Sequence, residues 1–200
     1  MLKLNLLLLL LYITQIASLE EAKKDLFDST QLKYMKLKNR VFKAAMVDCG
    51  SWENGKLAEK LSKNEVGTII TGTILVDSVE GYEPMCRIDK DEYIEEYKKL
   101  TDRVHNNGAN IIAQLHVIRD LDISVDEIHK VAELFADAAI RSKKGGFDGI
   151  EICANHHVPL SQFLSPMFNH RNDEYGGSNE NRARFVIEII KKIREKMGNE

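Results

Sequence analysis

Short apolar runs alternate with amphipathic segments from Leu19 to the end of the chain. This alternation predicts βα units and a parallel sheet. The predicted strands are largely apolar on both faces, which is typical of strands that are covered on both sides. They fall at 40–46, 66–75, 110–117 and 147–153.

The segments between the strands carry helix start and stop signals. A polar residue followed three positions later by a glutamate predicts a capping box, and a pair of glycines predicts a left-handed helix end. The pattern also predicts a last helix over 179–197, with Phe185, Ile189 and Ile193 on one apolar stripe. The capping signals are Asp89 with Glu92 and Ser124 with Glu127, and the glycine pair is Gly145-Gly146.

Four βα units are compatible with two α/β folds. One is a small open sheet, and the other is the first half of a TIM-barrel-like (β/α)₈ fold, which typically needs about 250 residues. Composition and periodicity do not choose between them, because both folds have the same local alternation. In either case we expect one domain over 19–200.

The composition is that of a globular domain with a core, with 44% hydrophobic and 30% charged residues. A formal net charge of -3 and the lack of a basic stripe argue against nucleic acid as the main partner. The three cysteines, Cys49, Cys86 and Cys153, are far apart and form no CxxC pair. The sequence therefore predicts neither a metal site nor a complete disulfide framework.

The first eighteen residues differ from the rest. Lys3 precedes an apolar run over 6–13, and small residues follow at 17–18. This pattern is typical of a secretory signal peptide, and the run is shorter than the roughly 20 residues that a membrane-spanning helix requires. A buried amphipathic extension and a mistaken start codon are the alternatives. We expect the secretory pathway or the extracellular space if the signal operates, and the cytoplasm otherwise.

Gln114 is the clearest polar candidate. An amide inside the apolar run 110–117 must find partners or cost about 1 to 3 kcal/mol in desolvation. A ligand can supply them, because an amide offers a donor and an acceptor together; a core amide bonded to neighbouring backbone is the other interpretation. Sites in parallel barrels lie at the C-terminal strand ends. The stretches to inspect are therefore 45–48, 71–73, 114–116 and 151–157.

His156 and His157 follow the fourth predicted strand, three residues after Cys153. Such a pair could bind a metal, act as acid and base, or donate to a developing anion. Adjacent residues in extended backbone point to opposite faces, so at most one is expected to line a site. A solvated loop pair is the alternative.

The segment 161–185, SQFLSPMFNHRNDEYGGSNENRARF, is dense in turn residues and yet carries apolar anchors. Together with LKNRVFKAAM from Leu37, VGTIITGT from Val66, the long run from Asp91 to Leu115 and GGFDGIEI from Gly145, it resembles the Old Yellow Enzyme family of flavin-dependent NAD(P)H oxidoreductases. Within the segment we expect a structural role: glycines in a tight turn, Ser178 as a helix cap, and Arg182 and Arg184 tying the loop down. A substrate contact by these arginines is the alternative.

The resemblance implies FMN as cofactor and NAD(P)H as reductant, with hydride passed to an acceptor such as an activated alkene. It favours the barrel and implies that this chain holds about its first half. The flavin-binding residues that the resemblance implies are Ala45, Met46, Gly72 and Gln114, with Gln114 against the pyrimidine ring.

Cys153 and His156 stand where the family places the pair that polarises the substrate. The first position usually holds histidine, and a thiol is a weak donor. Val158 stands where the family often has a proton-donating tyrosine, and Val47 cannot hydrogen-bond the flavin O4. A truncated or degenerate relative that catalyses nothing is therefore the alternative function.

The expected partner is a small-molecule substrate, without a stable membrane anchor. A half barrel has open strand edges, which favour association with other strands. The resemblance therefore also predicts self-association through these edges.

Overall fold

The computed structural model describes residues 25–46, 56–78, 86–155 and 159–198. The predicted signal peptide over 1–18 lies outside the described residues, as do His156, His157 and Val47. No helix within the described ranges is long and apolar enough to cross a membrane.

Strands and helices alternate through the described part of the chain, as the sequence pattern predicts. A short antiparallel pair precedes the first parallel strand. The strands are β1 (Thr30–Gln31), β2 (Lys36–Leu37), β3 (Phe42–Lys43), β4 (Thr68–Leu75), β5 (Asn110–His116) and β6 (Gly149–Ile152). The helices are α1 (Lys56–Lys63), α2 (Ile94–His105), α3 (Val125–Lys144), α4 (Pro159–Leu164) and α5 (Asn179–Met197).

Strands β3 to β6 form one parallel sheet in the order β3-β4-β5-β6. This confirms the four predicted strands, although β3 and β6 are shorter than predicted. Among the described residues each of these two edge strands pairs on one side only. Self-association through the open edges stays a prediction.

The outer face of the sheet carries the core. Ile69, Ile111 and Leu115 belong to the same buried cluster as Val131 and Phe135 of α3. Parallel connections between neighbouring strands are right-handed, so consecutive helices collect on one side of the sheet. The helices therefore cover the outer face.

The inner face is more polar than the sequence pattern predicts. Paired residues of parallel strands share a face, and the register places Thr68, Thr73, Gln114 and Glu151 together on this one. The expectation of strands that are apolar on both faces, and covered on both sides, is wrong here. The reason is the uniform handedness of the connections, which leaves this face without a described helix.

The two predicted capping boxes have different outcomes. The Ser124 hydroxyl accepts a hydrogen bond from the Glu127 backbone N at 3.2 Å and begins α3 as predicted. The prediction at Asp89 is wrong, because the chain enters α2 through a 3₁₀ turn, Asp91–Tyr93, without a side-chain cap bond. The Asp89 carboxylate instead lies 3.6 Å from Nε of Arg87. The carboxylate oxygen at this distance, Oδ1, has no hydrogen-bond partner among the described residues.

Two further helix boundaries are as predicted. Gly146, directly beyond α3, has a φ of +84°, which is the left-handed conformation expected there. Helix α5 begins after Ser178, whose hydroxyl accepts from the Asn181 backbone N at 3.2 Å. Its buried stripe consists of Phe185, Ile189 and Ile193.

Ser124→Ala and Ser178→Ala are each expected to lower the free energy of unfolding by about 1 kcal/mol, because each removes the acceptor for one helix-terminal N–H. Urea denaturation of the two variants and the parent measures this. Ser29→Ala serves as the control, since Ser29 begins neither helix. A loss below about 0.3 kcal/mol in both variants would contradict the capping role.

Hydrogen bonds from arginine side chains to its own backbone carbonyls hold the segment 161–185 together. Nε of Arg182 donates to the Leu164 carbonyl at 3.1 Å, and Nε of Arg184 donates to the Glu174 carbonyl at 2.7 Å. Both arginines therefore tie the loop to itself, as predicted, and the structure gives their guanidinium groups a structural use.

A buried asparagine joins the two ends of this loop. Nδ2 of Asn169 donates to the carbonyls of Phe163 and Tyr175, each at 2.7 Å, and its Oδ1 accepts from the Arg171 backbone N at 3.0 Å. Arg171 then reaches the segment after β5. Its Nη1 donates to two carbonyls, those of Leu121 and Ile123, each at 2.7 Å.

Candidate functional site

A β-bulge in β4 shapes the C-terminal edge of the sheet. Ile70 pairs with Ile112 and Thr73 pairs with Gln114, so Thr71 and Gly72 stand opposite a single residue of β5. A bulge of this kind shifts the alternation of the strand by one residue. Thr73 and Leu75 consequently point to the inner face, as Ile70 does. In a strand without a bulge, odd- and even-numbered residues would point to opposite faces.

The bulge also changes what holds Gln114. The Thr71 hydroxyl accepts a hydrogen bond from the Gln114 backbone N at 3.0 Å, in place of a backbone carbonyl. Thr71, Gly72 and Gln114 are all buried. Two residues of the predicted cofactor set, Gly72 and Gln114, are therefore neighbours at the end of adjacent strands.

The side chain of Gln114 bonds across the sheet to a carboxylate. Its Nε2 donates to Oε1 of Glu151 on β6 at 2.6 Å, and the two residues are paired in the register. Among the described residues no donor contacts the amide oxygen of Gln114. The interpretation of a core amide bonded to neighbouring backbone does not describe this side chain, because its partner is another side chain.

Cys153 lies beside His116 at the same edge. The Cys153 backbone N donates to the Leu115 carbonyl at 2.9 Å, so the β5–β6 ladder continues to it. Cys153 lies two positions after Glu151, and His116 lies two positions after Gln114. Both residues are therefore on the inner face, on neighbouring strands. Both residues are buried.

Burial sets the protonation of both groups. It raises the pKa of the Cys153 thiol, an effect that the Asn155 hydrogen bond partly opposes. It lowers the pKa of His116, which therefore stays a neutral imidazole at physiological pH. A neutral thiol and a neutral imidazole can donate or accept hydrogen bonds, but neither supplies a charge.

Apolar residues flank the edge on the side of β3. Ala45 is half-buried and Met46 is 63% exposed, and they lie two and three residues beyond the end of β3. Phe42 shares the face of Thr68, with which it pairs, and is 44% exposed. Ala45 and Met46 thus lie on the β3 side of the sheet, two strands from Gln114, whereas Phe42 lies at the N-terminal end, since Thr68 begins β4.

Two buried oxygens at this edge have no hydrogen-bond partner among the described residues, Oγ1 of Thr73 and Oδ1 of Asp77. Asp77 uses its other oxygen in an ion pair with Arg119, whose Nε also lies 3.4 Å from Glu127. Unpartnered buried oxygens are costly and call for a donor. They mark this end of the sheet as a place where the polar groups of a ligand would fit.

The structure places Gly72, Gln114 and Cys153 at the C-terminal ends of the neighbouring strands β4, β5 and β6, and Ala45 and Met46 after β3. That these residues form one site stays a prediction. His156 lies outside the described residues. The stretches to inspect included Thr73, His116 and Glu151, but none of the three was assigned a role. Their positions at C-terminal strand ends were the available signal, but no local pattern indicated that they share one face.

Comparisons with known proteins agree over most of the chain. The sequence pattern of the NADH:flavin oxidoreductase / NADH oxidase family matches residues 25–120 and 116–200. The chain is 34% identical to an NADPH dehydrogenase of Bacillus subtilis over 205 residues, covering 86% of this chain and 60% of that protein. It is 30% identical to an NADH oxidase of Thermoanaerobacter brockii over 212 residues, covering 88% of this chain and 33% of that protein.

Solved structures give the same picture. Morphinone reductase superposes with a TM-score of 0.75 at 26% identity, covering 86% of this chain and 59% of that one. An old yellow enzyme homologue from Zymomonas mobilis superposes with a TM-score of 0.74 at 25% identity, covering 88% and 61%. The chain thus spans between about a third and three-fifths of the relatives named here, and the half-barrel prediction is confirmed over the open-sheet alternative.

Proposed function

Because the chain belongs to the NADH:flavin oxidoreductase / NADH oxidase family, we propose that it binds the ring of FMN at the inner C-terminal edge of its sheet. The proposed activity is transfer of hydride from NAD(P)H to an acceptor such as an activated alkene. The observation that carries the proposal is Gln114, whose amide lies on the face that no described helix covers and whose carbonyl oxygen accepts no hydrogen bond from the described residues.

The residues at this edge fit a flavin ring. The pyrimidine end of the ring has alternating N–H and C=O groups, and the Gln114 amide offers one acceptor and a second N–H to them. The buried hydroxyl of Thr73, which has no partner among the described residues, adds a polar group in the paired position. Ala45 and Met46 offer apolar contact to the ring, and Gly72 has no side chain that would occupy the space of the ring.

The chemistry that bound FMN supplies is two-electron hydride transfer. The protein supplies binding, orientation and the groups that face the acceptor substrate. Cys153 is proposed to face it, and the family resemblance assigns the hydrogen-bond donor to His156, which lies outside the described residues. A positioned donor to developing charge typically contributes about 10² to 10³ in rate, and the neutral, buried thiol of Cys153 is a poor donor. The acceptor reduction is therefore expected to be slow.

A non-catalytic relative is the second candidate function. The observation that favours it is the same thiol, which occupies the position of a polarising group and whose pKa is raised by burial. This candidate also predicts FMN binding, but without oxidation of NAD(P)H. Binding and turnover must therefore be measured separately.

Titration of the full chain with FMN tests the proposal. Saturable quenching of flavin fluorescence with a change in the visible absorption is expected, and NAD(P)H oxidation is then assayed on the loaded protein. Riboflavin serves as the control ligand: a similar affinity assigns the binding to the ring, which is the part that Gln114 faces. A folded chain that leaves the flavin signal unchanged would sink both the enzymatic and the non-catalytic proposal.

A further inference from the structure

Gln114 and Glu151 are joined across the β5–β6 ladder, 37 residues apart in sequence. They are register partners on the inner face, and Nε2 of Gln114 lies 2.6 Å from Oε1 of Glu151. The hydrogen bond is short, as bonds to a charged acceptor usually are. No other described side chain bonds to either group of the Gln114 amide.

The chemistry of the pair determines which end of the Gln114 amide faces Glu151. An ionised carboxylate only accepts hydrogen bonds, whereas an amide has a donating NH₂ end and an accepting carbonyl end. The end that faces Glu151 must therefore be the NH₂. The amide is planar, so the carbonyl oxygen and the second N–H are directed away from Glu151.

The backbone of Gln114 is held as well. Its N–H is bound by the Thr71 hydroxyl at 3.0 Å, on the opposite side from Glu151. With the main chain fixed on one side by β4 and the side chain on the other by β6, the torsions of the Gln114 side chain lose their freedom. Fixing a rotamer-rich side chain before binding removes an entropic cost from the binding step, which strengthens affinity by about two- to tenfold.

We propose that Glu151 is a positioning residue for the cofactor site, which holds the Gln114 amide with its carbonyl presented to the N–H edge of the flavin pyrimidine ring. The inference rests on the proposed function for its ligand. Its structural half, the fixed orientation of the amide, does not depend on any ligand. Glu151 acts through Gln114 and is not itself assigned a contact with the flavin.

The orientation can be measured without FMN. In the full chain labelled with ¹⁵N, the two side-chain N–H protons of Gln114 are expected to be well separated, with one shifted by its bond to the carboxylate. Glu151→Gln keeps the size of the side chain but offers a donor as well as an acceptor, so it removes the bias. The two side-chain N–H resonances of Gln114 are assigned by their loss in Gln114→Ala, and in Glu151→Gln they should move closer to each other. Unchanged resonances would overturn the proposal.

The coupling to the cofactor is measured by a double-mutant cycle on FMN affinity. Glu151→Gln is expected to weaken FMN binding by about fivefold. In the Gln114→Ala background the same substitution should have no further effect, because a positioning residue has then lost the group it positions. Equal losses in both backgrounds would mean that Glu151 acts without Gln114, and would overturn the proposal.

Asp148→Asn is the matched control. Asp148 lies directly before β6, at the opposite end of the strand, where its Oδ2 accepts from the Ile111 backbone N at 2.7 Å. Its substitution changes stability but should leave FMN affinity unchanged. If Glu151→Gln does not fold, Glu151→Met, which is apolar and of similar length, replaces it in both measurements.

The two arms separate this inference from the proposed function. If the parent chain binds no FMN, the proposed function fails, and the side-chain resonances still decide the orientation of the amide. If the parent binds FMN and Glu151→Gln binds it equally well, the inference fails and the proposed function stands.

Discussion

Gln114→Ala is expected to weaken FMN binding by about tenfold or more. The substitution removes the amide carbonyl and N–H that the ring would meet, and it also leaves the Glu151 carboxylate without its donor at 2.6 Å. Leaving the polar groups of the bound ring without the Gln114 amide typically costs about 1 to 3 kcal/mol, which corresponds to roughly 5- to 150-fold in affinity. Flavin fluorescence quenching measures the change in dissociation constant.

Gln114→Glu sharpens this prediction. It is nearly isosteric, but it places a second carboxylate against Glu151 and cannot donate to it. We therefore expect it to weaken binding more than the alanine does. Gln31→Ala is the matched control, since Gln31 lies on β1 and bonds to the Leu32 carbonyl. An affinity of Gln114→Ala equal to that of the parent would rule out Gln114 as a flavin contact.

Gly176→Ala is expected to lower the free energy of unfolding by about 3 kcal/mol or more. A Cβ at this position would lie 2.0 Å from the Arg171 carbonyl oxygen and 2.6 Å from its carbonyl carbon. Both atoms belong to the backbone, so the clash cannot be relieved by turning a side chain, and overpacking of this kind costs about 1 to 3 kcal/mol or more. Urea denaturation measures the loss.

Gly177→Ala is the matched comparison. Gly177 has a φ of +80° and nothing within 4 Å of an added Cβ, so only the left-handed backbone opposes a side chain. That conformation costs an L-residue about 1 to 2 kcal/mol. The smaller loss expected for Gly177→Ala separates close approach from backbone strain; a larger loss than for Gly176→Ala would show that the close approach at Gly176 does not decide the stability of this loop.

The consequence of Gly176→Ala reaches beyond its own loop. Arg171, whose carbonyl the new Cβ would strike, donates to the carbonyls of Leu121 and Ile123 in the segment after β5. That segment follows the strand that carries Gln114 and His116. Through Arg171, the loop over 161–185 is thus bonded to the segment that follows the edge of the sheet at which the flavin ring is proposed to bind.

Local sequence patterns were sufficient for much of the architecture. The apolar runs located β4 and β5 closely, the glycine and serine signals marked the ends of α3 and α5, and the turn-rich segment before α5 was predicted to be self-bonded through Arg182 and Arg184. These features depend on propensities and contacts within a few residues, which the sequence states directly. The capping prediction at Asp89 was wrong because the chain enters α2 through the 3₁₀ turn Asp91–Tyr93, which no side chain caps.

Local sequence patterns predicted only part of the candidate site. Gln114 stood out, because an amide in an apolar run needs a partner. Its partner Glu151 did not, because the pair is 37 residues apart and meets only through the register of two strands. The same holds for His116 and Cys153, which neighbouring strands bring side by side.

The sequence by itself determined the order of strands and helices, the family and the identity of Gln114 as the leading candidate. The tertiary structure decided which side chains share the inner face. The bulge at Thr71 and Gly72 makes this plain, since it reverses the alternation of β4 and turns Thr73 and Leu75 inward. A shift of one residue moves every later side chain to the other face, and it arises from pairing between strands, which no local pattern in either strand records.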